Sequence, residues 1–143
     1  MITARRLQRI LHLKERIRDS RRAALVVAEV HVHAASAHLA EVEGRIESLA
    51  AAACRTGDIG AGELHGAADL LVHERRLHEN AIEALRAQEV ERDARAAAVH
   101  RANREIRSLE VLDERERLGQ VREEGRREQL LADEHANRRG GIA

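Results

Sequence analysis

The sequence has 143 residues, of which 35% are charged and none is proline, phenylalanine, tyrosine or tryptophan. A broad core without aromatic residues lacks the side chains that bury the most area each, and without proline nothing forces a helix to stop. The 25 basic and 25 acidic residues cancel, so the overall charge gives no general attraction to nucleic acid or to an anionic membrane. A composition rich in Ala, Glu, Arg and Leu is typical of a coiled coil or long helix.

The first predicted helix covers about 3–54, with Thr3 placed as its N-cap. Its centre carries apolar residues at alternating steps of three and four, which are the a and d positions of a heptad repeat. So sustained a seam argues against disorder, because disordered segments lack an apolar face to bury. The seam consists of Leu25, Ala28, Val32, Ala35, Leu39, Val42, Ile46, Leu49 and Ala53.

The apolar stripe changes phase nearer the N-terminus. The step of eight residues from Ile17 to Leu25 indicates a stutter. We expect the seam to widen there and to accept Arg18 and Arg21 beside it. The two neighbouring stripes consist of Leu7 with Leu11, and of Ile10 with Leu13 and Ile17.

A break is predicted over 55–62, which holds three of the nine glycines. We expect Gly57 to cap the first helix and the chain to reverse at Asp58–Ile59. The second helix is predicted over about 63–138, with several polar residues in its 3/4 frame, which weaken a seam and fix its register. The frame consists of apolar Leu64, Leu71, Ile82, Leu85, Ala96, Val99 and Ile106, and of polar Arg75, His78, Glu89, Arg92 and Asn103.

We therefore predict an all-α fold, an antiparallel two-helix coiled-coil hairpin in which residues 1–143 form a single domain. At ~1.5 Å rise per residue, the helices are roughly 75 and 115 Å long. Thr3 then lies near Leu112–Asp113, and the last ~25 residues of the second helix overhang. Because an isolated, highly charged helix is marginal alone, we expect something to receive this overhang.

Cys54 is the only cysteine. A single cysteine forms no internal disulfide and fits a reducing, cytoplasmic compartment. The first residues turn charged at once, so no signal peptide is expected. We also expect no apolar run to approach the ~20 residues needed to cross a bilayer.

No catalytic, cofactor or small-molecule site is predicted, because a thin rod has no pocket of the size that ligands need. His31 and His38 are a heptad apart, roughly 10 Å, which is too far to share a metal ion. His38 could face His78 across the hairpin, but two ligands make a weak metal site. Nucleic acid is disfavoured as a partner, because acidic residues interleave with the arginines and no aromatic residue can stack on bases.

Both ends of the chain carry recognisable patterns. Near the C-terminus, Arg-x-Glu-Gln-x-x-x-Asp-Glu-x-Ala-x-x-Arg is matched by Arg126, Glu128, Gln129, Asp133, Glu134, Ala136 and Arg139. Near the N-terminus, Arg-Leu-x-x-(Leu/Ile)-Leu-x-Leu-(Lys/Arg)-Glu is matched by Arg6, Leu7, Ile10, Leu11, Leu13, Lys14 and Glu15. The whole chain thereby resembles the FliJ family, the stalk of the flagellar type III export ATPase, which includes YscO-type proteins of injectisomes. It departs from the family in lacking an aromatic residue around Leu70 to Leu77.

The resemblance implies a non-enzymatic stalk without a cofactor, at the cytoplasmic face of the flagellar or secretion basal body. The end with both termini would enter the hexameric export ATPase and promote its assembly and activity. The rest would meet the cytoplasmic domain of the export gate, and some members also escort export chaperones. A generic coiled-coil scaffold or a homo-oligomeric adaptor is the alternative.

The resemblance also implies contact residues. Export-gate contacts are expected at Leu70, His73 and Leu77. ATPase contacts are expected at Arg5, Arg6, Arg9, Arg126, Arg127, Glu128, Gln129, Asp133, Glu134, Arg138 and Arg139.

Overall fold

A computed structural model describes residues 3–55 and 60–141, which form two α-helices. Helix α1 is Ala4–Arg55 and helix α2 is Ala61–Gly140. The predicted all-α hairpin of two antiparallel helices, the second one longer, is confirmed. The predicted cap at Gly57 and the reversal at Asp58–Ile59 lie outside the described residues.

Each helix begins where a backbone carbonyl accepts the first helical hydrogen bonds. The amides of Arg6 and Leu7 donate to the carbonyl of Thr3 at 2.8 and 3.0 Å, and the amide of Leu64 donates to the carbonyl of Gly60 at 3.1 Å. Thr3 and Gly60 therefore hold the N-cap positions.

The chain divides into two compact units. The terminal unit comprises Met1–Asp19 and His100–Ala143, and the turn unit comprises Ser20–Val99. Each unit pairs one segment of α1 with an antiparallel segment of α2. The organisation of the whole chain as one domain stays a prediction.

In the turn unit, the predicted α1 seam packs against α2. Ala28 and Val42 are 4% and 0% exposed, the other members from Leu25 to Leu49 are half-buried, and Ala53 is exposed. Arg21 Nη1 donates to the carbonyl of Ala98 at 3.4 Å, which shows that the α1 seam admits this arginine at its edge. The antiparallel order is set by this contact together with the pairing of Arg45 and Glu74 at 3.2 Å.

The predicted α2 frame needs correction near the turn. Leu64 is 58% exposed, whereas Glu74 and Ala81 are 8% and 3% exposed. Arg75, predicted in the frame, is exposed, and its neighbour Glu74 takes the seam position. Glu74 can be buried because Arg45 on α1 compensates its charge. The apolar pattern of α2 alone does not show this partner.

In the terminal unit, the core consists of Leu7, Ala102 and Ile106, which are 3%, 3% and 4% exposed. Lys14 Nζ and Glu105 Oε2 form a cross-helix ion pair at 2.7 Å. Leu13 is 58% exposed, so its predicted place on the stripe is wrong. Half-buried Lys14 occupies the seam there instead, because its long aliphatic stem packs while its ammonium group reaches the surface.

The α2 overhang belongs to the terminal unit. Thr3 and Ala4 line a groove with Leu112 and Glu116, which confirms the predicted register at the start of α1. Beyond it, every described residue over 117–141 is exposed. At ~1.5 Å per residue this segment extends roughly 35 Å past the paired part of α2.

One stretch of α1 is more apolar than the sequence analysis allowed. An 18-residue window of this helix has a mean hydropathy of 1.3 with at most two Asp, Glu, Lys or Arg, so α1 is long and apolar enough to cross a membrane by length and composition. The expectation that no run approaches this length is therefore wrong. Alanine and valine occur on the outer positions of α1 as well as on its seam, for example at Val26, Val27 and Val30. Mostly buried core helices of soluble proteins and signal sequences near an N-terminus share this length and composition, and 6% of this window is buried.

Candidate partner-binding site

Three arginines occupy the first two turns of α1. Arg5, Arg6 and Arg9 are exposed because the seam positions around them are taken by Leu7 and Ile10. None of the three forms an ion pair with another described residue. Basic residues at a helix N-terminus oppose the macrodipole, and the first turn of α1 holds no acidic residue. These arginines therefore do not serve the stability of the helix.

The zero net charge of the sequence is unevenly divided. Residues 3–19 contain six Lys or Arg and two Asp or Glu, and residues 100–141 contain ten of each. The terminal unit thus has a formal charge of +4, all of it from α1. Residues 20–99 contain nine basic and thirteen acidic residues, a formal charge of −4. A local potential therefore exists where the overall composition indicated none.

The predicted contact residues of the tail all lie on the exposed part of α2. Arg127 Nε lies 3.6 Å from Glu123 Oε1. None of the other predicted residues on this segment forms an ion pair with a described residue. These others are Arg126, Glu128, Asp133, Glu134, Arg138 and Arg139, with Gln129 as the uncharged member.

The face of α2 that packs on α1 continues past the start of α1 as a polar stripe. A groove of about 770 Å³ lies at this point, and Gln120, Glu123 and Arg127 line its far end. The apolar residues of the overhang are exposed too, with Leu130 and Leu131 at 61% and 57%. Since three successive positions of the continuing stripe, Gln120, Glu123 and Arg127, are polar before Leu130 is reached, the overhang lacks the continuous apolar seam that a further coiled-coil partner requires.

The three predicted gate residues lie on α2 in the turn unit, with different burial. Leu70 is 46% exposed, His73 is exposed and Leu77 is half-buried. Leu70 lines a shallow, mainly apolar groove of about 660 Å³ together with Gly44 and Glu74. Gly44 adds no side chain to the groove, and no atom beyond its own stretch of helix lies within 4 Å of the place where its Cβ would be. The sequence pattern gave no sign of this groove, which depends on the pairing of the two helices.

The histidines make polar contacts of their own. The cross-helix partner of His78 is Glu43, with Nε2 and Oε1 at 3.2 Å, rather than His38 as considered from the sequence. His38 Nδ1 lies 4.0 Å from Glu41 Oε2 on its own helix. Over residues 3–55 and 60–141, no group of three or more His, Cys, Asp or Glu is placed to hold a metal ion.

Comparison with known proteins gives a family match over nearly the whole chain. A family model described as the flagellar FliJ protein matches residues 3–141. No curated protein and no solved structure matches the chain significantly. The family match includes α1, α2 and the arginine-bearing segments at both ends. The chain therefore belongs to the FliJ family, the structural stalk proteins of the flagellar export apparatus.

Proposed function

We propose that this protein is the non-enzymatic central stalk of the type III export ATPase and that the α2 overhang, together with the first two turns of α1, enters the hexamer. The observation that carries the proposal is the α2 overhang, in which all described residues over 117–141 are exposed and the stripe that continues the seam begins with polar Gln120, Glu123 and Arg127. An isolated helix of this kind is only marginally stable in water, so contacts with the wall of a pore would stabilise it. The family match supports the stalk role.

The electrostatics of the terminal unit suit such a pore. The α1 segment is basic, and the α2 segment over 100–141, which includes the overhang, carries ten charges of each sign. Exposed ion pairs are worth only ~0–1 kcal/mol each, so contacts of this kind hold a stalk without fixing it in one state. Six like subunits can then share it, and the stalk promotes their assembly and activity at the cytoplasmic face of the basal body.

The proposed ATPase contacts are the exposed charged and polar residues at both ends. On α1 they are Arg5, Arg6 and Arg9. On α2 they are Arg126, Arg127, Glu128, Gln129, Asp133, Glu134, Arg138 and Arg139.

Site-specific photo-crosslinking tests this placement. We expect a benzophenone side chain at Gln129 or Arg9 to crosslink to the purified cognate export ATPase. The control position is Val90, which is 69% exposed and lies in the turn unit. Equal crosslinking from Val90 and Gln129 would contradict the proposal.

We propose further that the groove beside Leu70 contacts the cytoplasmic domain of the export gate, together with His73 and Leu77. An apolar side chain of that domain could pack against the half-exposed Leu70, in the open space at Gly44. Replacing Leu70 with Asp should weaken binding to the isolated gate domain about tenfold, a loss of about 1.4 kcal/mol. Leu64→Asp is the control, because Leu64 is also exposed, at 58%. A similar loss in both variants would place the contact elsewhere.

A further inference from the structure

The outer positions of α2 in the terminal unit carry an unusual set of side chains. The face toward α1 is defined by buried Ala102 and Ile106 and by half-buried Leu109 and Asp113. The opposite side of the helix therefore holds the residues farthest from α1. These residues are exposed, and His100 and Glu114 are among them. We call the remaining set the arginine face; it consists of Arg101, Arg104, Arg107, Ser108, Val111, Arg115 and Leu118.

The arginines of this face have no ion-pair partner in the part of the chain that the structure describes. Arg101, Arg104, Arg107 and Arg115 form no ion pair with any residue over 3–55 or 60–141. The acidic residue among the outer positions, Glu114, is engaged by Arg117, with Nη2 and Oε2 at 3.0 Å. The face thus presents four guanidinium groups without an ion-pair partner among the described residues, within about four helical turns.

Aliphatic side chains lie between these arginines. Val111 and Leu118 are 45% and 48% exposed, and the adjacent Leu112 is 47% exposed. A shallow groove of about 480 Å³ runs among Arg104, Arg107, Ser108, Val111, Leu112 and Arg115. The hydroxyl of Ser108 donates to the carbonyl of Arg104 at 3.0 Å, which leaves the hydroxyl oxygen free to accept.

We propose that the arginine face binds an acidic amphipathic helix of a protein partner. Carboxylates of that helix would accept hydrogen bonds from the guanidinium groups. A planar guanidinium can donate two parallel hydrogen bonds to the two oxygens of one carboxylate. An apolar stripe of the helix would cover Val111 and Leu112, as in other complexes in which a helix lies in a groove. Charge complementarity thus selects the partner, and burial of the two aliphatic residues adds to its affinity.

Two other anionic partners fit the face less well. An interfacial membrane helix needs a broad apolar face that bears large side chains, whereas this face offers two aliphatic residues beside the adjacent Leu112, and no aromatic one. Single-stranded nucleic acid is held by stacking of its bases on aromatic side chains. The proposal goes beyond the stalk role, because none of these residues belongs to the proposed ATPase or gate contacts.

A designed peptide tests the proposal with the full chain. The probe is an 18-residue fluorescent helix with Leu at i, i+3, i+4 and i+7 and Glu at the flanking positions. Its matched partner has Lys in place of each Glu. We expect the acidic peptide to bind and the basic one not to bind. We expect Arg104→Glu with Arg107→Glu to weaken binding of the acidic peptide about tenfold or more.

The control variant is Arg75→Glu with Arg76→Glu, which changes the net charge equally at exposed positions in the turn unit. It should keep the affinity within about twofold, because exposed charges away from the interface contribute little. Circular dichroism checks that both variants keep their helices. Stimulation of the export ATPase by the Arg104/Arg107 variant should remain at the wild-type level, which separates this proposal from the stalk role.

Three outcomes would overturn the proposal. Equal binding of the acidic and basic peptides would show that charge does not select the partner. Equal loss in both double variants would show a general charge effect. Loss of binding to vesicles of phosphatidylcholine and phosphatidylglycerol on reversal of Arg104 and Arg107, without any binding of the acidic peptide, would identify a lipid surface as the partner.

Discussion

The carboxylate of Glu74 is held across the hairpin by Arg45, at 3.2 Å, and the residue is only 8% exposed. Its side chain is 11% exposed, whereas that of Arg45 is 46% exposed. Solvent therefore screens one partner of the pair and not the other. Removal of Arg45 leaves the buried carboxylate of Glu74 without a partner. An unpaired buried charge destabilises the fold more than the loss of an exposed one.

We expect Arg45→Ala to lower the free energy of unfolding by about 1–2 kcal/mol, after discounting for the exposure of Arg45. Adding Glu74→Leu should recover part of this loss, because an apolar side chain suits the buried position. Urea denaturation followed by circular dichroism measures both. A double variant less stable than Arg45→Ala alone would show that Glu74 is not compensated by Arg45.

Gly44 offers a second test at the scale of one residue. It lies inside α1, and no atom lies within 4 Å of its missing Cβ. Gly44→Ala should therefore stabilise the protein by about 0.5–1 kcal/mol, because alanine loses less backbone entropy in a helix. Thermal unfolding measures it, with Ala37→Gly at another exposed α1 position as the opposite change. An unchanged or lower Tm for Gly44→Ala would contradict the open space seen there.

Among the elements, α1 was more predictable than α2. The α1 seam repeats strictly in Leu, Val, Ile and Ala, so its periodicity alone located the buried face from Leu25 to Leu49. In α2 the apolar repeat is interrupted, and the buried positions include Glu74 and three small alanine or valine residues. Burial in α2 depends on how it pairs with α1, and the apolar periodicity of one sequence does not show this pairing.

The overhang makes a prediction about α2 as an element. Residues 117–141 are exposed throughout, whereas Ala81, Ala102 and Ile106 lie in the cores of their units. Peptides from 119–139 should exchange their amide hydrogens faster than peptides from 81–106, because a helix without packing opens locally at low cost. Hydrogen exchange with mass spectrometry checks this. Protection of 119–139 in the free protein equal to that of 81–106 would mean that a second copy or another segment covers it.

For the whole molecule, the fold and the stalk role were predicted from different features of the sequence. The hairpin followed from periodicity and from the one glycine-rich break. The stalk role came from resemblance of the terminal patterns, and the family match supports it. The overall charge of zero concealed +4 in the terminal unit and −4 over 20–99, since this division needs the pairing of segments that are far apart in the chain. The arginine face was missed for the same reason, because its outer positions are defined only once the α2 seam is known.

The most direct test of the stalk role is ATP hydrolysis by the purified cognate export ATPase with the full chain. Three forms are compared: wild type, Arg126→Glu with Arg127→Glu in the overhang, and Arg75→Glu with Arg76→Glu in the turn unit, which has the same charge change. We predict stimulation by wild type and by the Arg75/Arg76 variant. For the Arg126/Arg127 variant, the protein concentration that gives half-maximal stimulation should be at least about tenfold higher. Equal stimulation by all three forms, or no stimulation together with a stable homo-oligomer by light scattering, would contradict it.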